Sequence, residues 1–276
     1  MSAAFEKEER LDALLRDLGS LLVAMSGGVD SAYLAARSHR ILGERALAVT
    51  AESESLAAEQ RRMAVRVAAE QGLRHRFIRT LETANPLYIR NDGERCFHCK
   101  TELFATLLPL ARQAGLAHVG YGLIADDLGD FRPGHRAAAL AGVRSPLADV
   151  GLQKQEIRVL SRAMNLPNWD APAAPCLASR VVYGLAVTPE ILERIDRAET
   201  ALRALGFREL RVRHVAADAA RVEIAGDEMA RLDPALAAAV LARVREAGYR
   251  SVTIDASGYR RGRLNDALAP AAREPI

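Results

Sequence analysis

The chain has 276 residues, half of them hydrophobic, with a net charge of only +3; that is long enough for one large domain, or for one of about 160 to 180 residues with a smaller companion. Its arginines are spread along the chain, which argues against a dedicated nucleic-acid protein. No apolar run has bilayer-spanning length and MSAAFEKEER is charged rather than signal-like, so a soluble, cytoplasmic protein with no nucleic-acid or membrane partner is expected. Three cysteines in a reducing compartment point to metal or sulfur chemistry rather than to disulfides.

Leu11, Leu14, Leu15 and Leu18 recur at helical spacing and stop at Gly19, which predicts an amphipathic helix. The apolar run Leu21-Leu22-Val23-Ala24-Met25 then enters Ser26-Gly27-Gly28-Val29-Asp30-Ser31 and a helical pattern, so a buried strand, a tight turn and a helix start are expected. Two adjacent glycines let backbone amides approach an anion. The helix terminus adds its dipole, and Ser26 and Ser31 add hydroxyls. The pattern SGGxDS is neither the dinucleotide GxGxxG nor GxxxxGK[ST]. It resembles the pyrophosphate-binding PP-loop of ATP enzymes that cleave between the α- and β-phosphates.

Further strands are expected over 45–50, 74–79 and 117–122, with a helix over about 56–71 and another opened by Arg95-Cys96-Phe97-His98-Cys99-Lys100. Strands alternating with helices predict an α/β fold with a doubly wound parallel sheet, whose ligands sit beyond the carboxyl ends of the strands. Residues 80–95 read as a loop and His75 as a solvated surface residue. The turn Ala125-Asp126-Asp127-Leu128-Gly129-Asp130 offers Asp126 and Asp127 either as Mg²⁺ ligands between phosphates or as helix caps. Lys154, at a helix start, reads either as a cation for the α-phosphate or as a solvent-exposed lysine.

Residues 166–187 form a proline-rich segment in which Trp169 and Cys176 precede Ser179-Arg180, a way to hold a thiolate beside a cation. From Thr188-Pro189 the pattern predicts an α-β-β-α-β domain over 188–262, smaller than the ATP-binding domain of 1–165 and followed by a tail over 263–276 expected to be disordered. Arg211 and Arg213 share one strand face, as a phosphate or carboxylate clamp or as a charged solvent face.

Taken together, the PP-loop, RCFHCK, ADDLGD, PAAPCLASR and RVRH segments resemble the LarE family of ATP-dependent sulfur transferases over most of the chain, with Ile124 and Val182 departing from its usual Asn and Pro. The resemblance implies an enzyme that uses MgATP to adenylate the carboxylates of pyridinium-3,5-biscarboxylic acid mononucleotide, releasing pyrophosphate, and then exchanges carboxylate oxygen for sulfur, releasing AMP. This is a step toward the nickel-pincer nucleotide of lactate racemase. It implies a homo-oligomer, nucleotide contacts from Ser26, Gly27, Gly28, Val29, Asp30, Ser31, Gly122 and Asp127, and catalytic roles for Cys176, Lys154, Asp30 and Glu199. Ser179, Arg180, Arg211 and Arg213 would bind the substrate. Cys96, Cys99 and Cys176 together match a three-cysteine [4Fe–4S] site with one open iron; a zinc site with His98, or a sacrificial Cys176 that becomes dehydroalanine, are the alternatives. Two other functions fit a PP-loop: tRNA thiolation, which would need a clustered basic face, and non-catalytic nucleotide binding.

Overall fold

The computed structural model describes residues 3–129, 133–260 and 262–267, so Asp130 and the tail beyond 267 lie outside the described residues. The chain divides into two compact units. Residues 3–82 and Cys96–Ala174 form the first, and Thr83–Arg95 with residues 175–267 the second.

In the first unit, β1 (Leu21–Ala24), β2 (Ala46–Glu52), β3 (His75–Arg79) and β4 (His118–Tyr121) make a wholly parallel sheet in the order β3-β2-β1-β4. The chain moves outward from β1 to β3 and then returns to place β4 on the other side of β1. That reversal opens a crevice at the carboxyl ends of β1 and β4, where ligands bind in doubly wound sheets. Met25–Gly28 leaves β1 there, and Gly122–Asp127 leaves β4.

Period-two alternation explains why helices cover both faces. Leu21, Val23, Ala46 and Ala48 pack into one core with Leu11, Leu15, Tyr33, Val67, Ile157 and Leu160 from four helices. Leu22, Leu47, Val49 and Val119 pack into the other, with Phe104 and Leu107. A buried leucine contributes about 1.5–3 kcal/mol, so Leu11 and Leu15, both fully buried, suffice to seat helix Ala3–Leu18. Its outer edge is tied to helix Val29–Leu42: Arg37 makes a two-pronged ion pair with Asp12 (2.5 and 2.6 Å), and the Tyr33 hydroxyl donates to Glu8 (2.8 Å). Among the described residues no helix is long and apolar enough to cross a membrane.

His75 is not the solvated residue expected. Its Nε2 hydrogen-bonds the Thr50 hydroxyl at 2.8 Å, and the Thr50 hydroxyl in turn donates to the Met25 carbonyl at 2.7 Å; burial holds the imidazole below its ordinary pKa. The side chain ties β3, the outermost strand, to Thr50 on its neighbour β2.

In the second unit, β5 (Leu210–Ala216) runs antiparallel to β6 (Ala219–Ile224), which pairs in parallel with β7 (Ser251–Ile254). Helices Pro189–Ala204 and Pro234–Glu246 complete the α-β-β-α-β order, each capped by a side chain, Thr188 or Asp233, with proline at the first turn. Arg263–Ala267 forms a 3₁₀ turn at the start of the expected tail. Thr83–Arg95 is more than the expected loop, since it contains a helical turn at Pro86–Ile89 and contributes Asn91, fully buried at φ 55°. The Asn91 amide donates to the carbonyls of Val182 (2.9 Å) and Leu185 (2.8 Å), and its own carbonyl accepts from Gly184 N–H (3.2 Å). Asparagine tolerates this left-handed backbone, and it alone offers the amide.

Asn91→Ala should therefore destabilise the protein by about 2–4 kcal/mol in urea unfolding, since it strands two partly buried carbonyls and strains the backbone. A loss below ~0.5 kcal/mol would show that the latch is dispensable.

Candidate functional site

The loop after β1 is built by close backbone approach. Gly27 has φ 81°, and a Cβ there would lie 2.3 Å from the Gln60 carbonyl oxygen, so helix Ala58–Glu70 leaves no room for any other residue. Gly122, at the end of β4, is equally constrained. A Cβ there would come within 2.7 Å of Ser31 N, which places the β4 turn directly on the start of helix Val29–Leu42. Ser31 Oγ accepts from Ser26 N–H (3.1 Å), donates to the Gly28 carbonyl (3.2 Å) and lies 3.1 Å from Ser26 Oγ. The two hydroxyls thus brace one turn, with Val29 buried behind it. Ser26 is exposed and Gly28 half-buried at the helix terminus, where unpaired N–H groups and the dipole favour an anion.

Lys154 belongs to this site. Its Nζ lies 2.8 Å from both oxygens of Asp30, with each side chain about three-quarters buried. Its backbone N–H donates to Asp126 Oδ2 (2.8 Å), so Asp126 caps helix Lys154–Ala163 from an exposed position. Asp127, the next residue, is buried. The three aspartates named as nucleotide or Mg²⁺ ligands therefore differ: Asp30 holds the lysine, Asp126 caps a helix, and Asp127 turns inward.

The second unit gathers Ser179, Arg180, Glu199, Arg211 and Arg213. Arg180 is almost wholly buried and forks onto Glu199 (2.9 and 3.0 Å), while its Nη1 donates to the Cys176 carbonyl and to Ser179 Oγ (both 3.1 Å). Glu199 also accepts from Arg203 and from Val212 N–H (both 3.1 Å). Burial pushes the Glu199 carboxyl up, but Arg180 with Arg211 and Arg203 outweighs it and holds the group down at about 2. So depressed and so saturated with donors, Glu199 suits positioning of Arg180 rather than proton transfer at neutral pH. Arg180 itself is raised: burial opposes its charge, and Glu199, then Cys176, overcome that.

Arg211 and Arg213 do not form a solvent face. Both are buried. Arg213 pairs with Glu223 (2.8 Å) and donates to the Ser179 carbonyl (2.7 Å), while Arg211 stacks on Tyr259 at 4.6 Å. Burial, then Arg180, lowers Arg211 to about 10, which leaves it cationic at neutral pH. The sequence reading missed Glu223, Arg203 and Tyr259. Glu223 stands opposite Arg211 in the β5–β6 register, a signal visible only once the pairing is known.

None of the three cysteines is in a disulfide. Cys96 and Cys99 stand one helical turn apart at the start of helix Arg95–Gln113, in the first unit, whereas Cys176 belongs to the second. Among the described residues no group of three His, Cys, Asp or Glu side chains is gathered to hold a metal ion. A cluster on three thiolates does not fit the donor set that either unit offers alone. Mg²⁺ asks for less, since one or two carboxylates and substrate phosphates hold it, and the aspartates beyond β1 and β4 fit that need.

No protein-family profile matches the chain. An uncharacterized protein of Synechocystis sp. is 41% identical over 95% of this chain and 98% of its own. An uncharacterized protein of Methanocaldococcus jannaschii is 28% identical over 62% of this chain and 66% of its own. The pyridinium-3,5-bisthiocarboxylic acid mononucleotide synthase of Lactiplantibacillus plantarum is 33% identical over 98% of both chains. With that agreement over nearly the whole of both chains, the chain belongs to the LarE family of pyridinium-3,5-bisthiocarboxylic acid mononucleotide synthases.

Proposed function

We propose that the protein is an ATP-dependent sulfur transferase that adenylates the carboxylates of pyridinium-3,5-biscarboxylic acid mononucleotide and converts them to thiocarboxylates for the nickel-pincer nucleotide. The observation that carries this reading is the Lys154–Asp30 pair at 2.8 Å beside a glycine loop braced by two serines, in a chain alike from end to end to a protein named for the product.

A carboxylate is a poor electrophile. Its oxygen first attacks the α-phosphorus of ATP; the bond to the β-bridging oxygen breaks, and pyrophosphate leaves with the electron pair. Gly28 N–H, the helix terminus and the serine hydroxyls hold the phosphates, while Lys154 offsets charge growing at the α-phosphate. Asp126, the exposed carboxylate of the turn after β4, would hold Mg²⁺, which supplies charge neutralisation between phosphates, while the buried Asp127 would act from behind it. Ser179, Arg180, Arg211 and Arg213 bind the anionic mononucleotide, with Arg211 and Arg180 kept cationic in a buried setting where each charge counts for more. The family reading also brings a homo-oligomer.

The acyl adenylate then receives sulfur, and AMP leaves. The proposed carrier is the set Cys96, Cys99 and Cys176 bearing a [4Fe–4S] cluster, which when bound would supply iron-held sulfide; an exposed Cys96 one helical turn from a half-buried Cys99 supports this. In the alternative, the Cys176 thiolate attacks the acyl carbon and AMP departs with the electron pair. Loss of the Cα proton and cleavage of the Cβ–S bond then leave thiocarboxylate and dehydroalanine.

Asp30→Ala and Lys154→Ala should each lower pyrophosphate release by about 100-fold or more; normal release from the folded variants would remove ATP from this loop. Arg211→Lys keeps charge but loses the fork, and should weaken mononucleotide binding about 10-fold with little change for ATP. Equal affinities for both ligands in variant and wild type would dismiss the clamp. After several sulfide-fed turnovers under anaerobic conditions, the Cys176 peptide should keep its mass and the protein should contain iron. Stoichiometric dehydroalanine at Cys176 would replace the cluster by the sacrificial route.

A further inference from the structure

Asn168 is fully buried, and its side-chain Nδ2 donates to the Gly27 carbonyl at 3.0 Å. Its Oδ1 is also buried and finds no partner. A buried amide with one orphaned end is costly, about as costly as losing a hydrogen bond. Packing alone would be met more cheaply by leucine or methionine.

The segment that carries Asn168 is firmly held. Arg158 donates to the Ala171 carbonyl (2.9 Å), Arg162 stacks on Trp169 (5.0 Å), and the Gln60 amide donates to the Ala174 carbonyl. Asn168 therefore reaches Gly27 from a fixed base, and the tryptophan serves to brace that base.

In a trans peptide the C=O and the following N–H point in opposite directions. Pinning the Gly27 carbonyl from the buried side thus turns the Gly28 N–H toward the open side, at the N-cap of helix Val29–Leu42, where its one contact is a long 3.4 Å bond to the exposed Ser26 hydroxyl that a phosphate oxygen would replace. Left to itself, a Gly–Gly peptide rotates freely, because neither residue has a Cβ to bias it. We infer that Asn168 is a positioning residue for nucleotide binding, locking the Gly27–Gly28 peptide so that Gly28 N–H is presented to a phosphate. This rests on the reading of the loop as the ATP site.

The test uses the full chain and ATP–pyrophosphate exchange in the presence of substrate. Asn168→Ala should raise the KM for ATP about 5- to 10-fold with a smaller change in kcat, the size expected for one buried hydrogen bond. Asn168→Asp is close to isosteric and adds a pH readout. As a carboxylate it repels the Gly27 carbonyl, whereas as a protonated acid it can donate to it. Its KM for ATP should accordingly be raised at pH 8 and return toward wild type at pH 6, while Asn168→Ala stays raised at both. A KM unchanged in both variants, or thermal destabilisation with no change in KM, would overturn the positioning role. Absence of exchange in the wild-type protein would instead fail the ATP reading itself.

Discussion

Everything at the carboxyl end of β1 depends on how closely two backbones approach at Gly27. With φ at 81° and 2.3 Å between a notional Cβ and the Gln60 carbonyl, the turn can exist only without a side chain. That absence lets the loop lie against helix Ala58–Glu70 while the amides of Ser26 and Gly28 turn to the serine hydroxyls. Gly122 repeats the device against Ser31 from the neighbouring strand. Two missing methyl groups thus bring together the ends of β1 and β4, which the sheet order alone would leave merely adjacent.

The C-terminal unit solves a different problem, the burial of several like charges. Arg180, Arg211 and Arg213 are all at or below a few per cent exposure, and Glu199 and Glu223 are wholly buried. Guanidinium ions out of water need carboxylates and carbonyls at hydrogen-bond distance, which the two glutamates and the carbonyls of Cys176, Ser179 and Leu210 provide. Such a network is poor evidence of stability, because apolar side chains would pack as well for less. It is better evidence of function. Its anchors hold the backbone at Cys176 and Ser179 in one conformation and keep positive charge beside the thiol-bearing loop.

Local grammar made much of this legible. Alternating strands and helices, the capped start at Thr188, and the SGGxDS turn each depend on neighbours in sequence, and each was readable. Lys154 was legible as a helix start but not as the partner of Asp30, 124 positions away. Asn91 reads as a turn residue, and nothing near it announces that its amide serves carbonyls some 90 residues on. Glu199 was named for chemistry, while its surroundings fit it to hold Arg180. Period-two alternation placed Arg211 and Arg213 on one face correctly, yet could not tell a buried face from a wet one, because both faces of β5 are covered.

The division of the chain suggests why its chemistry is divided too. The first unit offers hard, fixed groups: backbone amides, hydroxyls and one ammonium braced by a carboxylate. The second unit instead sets the Cys176 thiol close enough to the Arg180 guanidinium for their charges to interact. The chain passes from one unit to the other at Ala174–Pro175, one residue before that cysteine. Pro172 and Pro175 stiffen the passage, and the Gln60 amide fixes the Ala174 carbonyl to the helix that also presses on Gly27. A proline on each side and a carbonyl held by Gln60 together limit the backbone conformations open to Ala173 and Ala174.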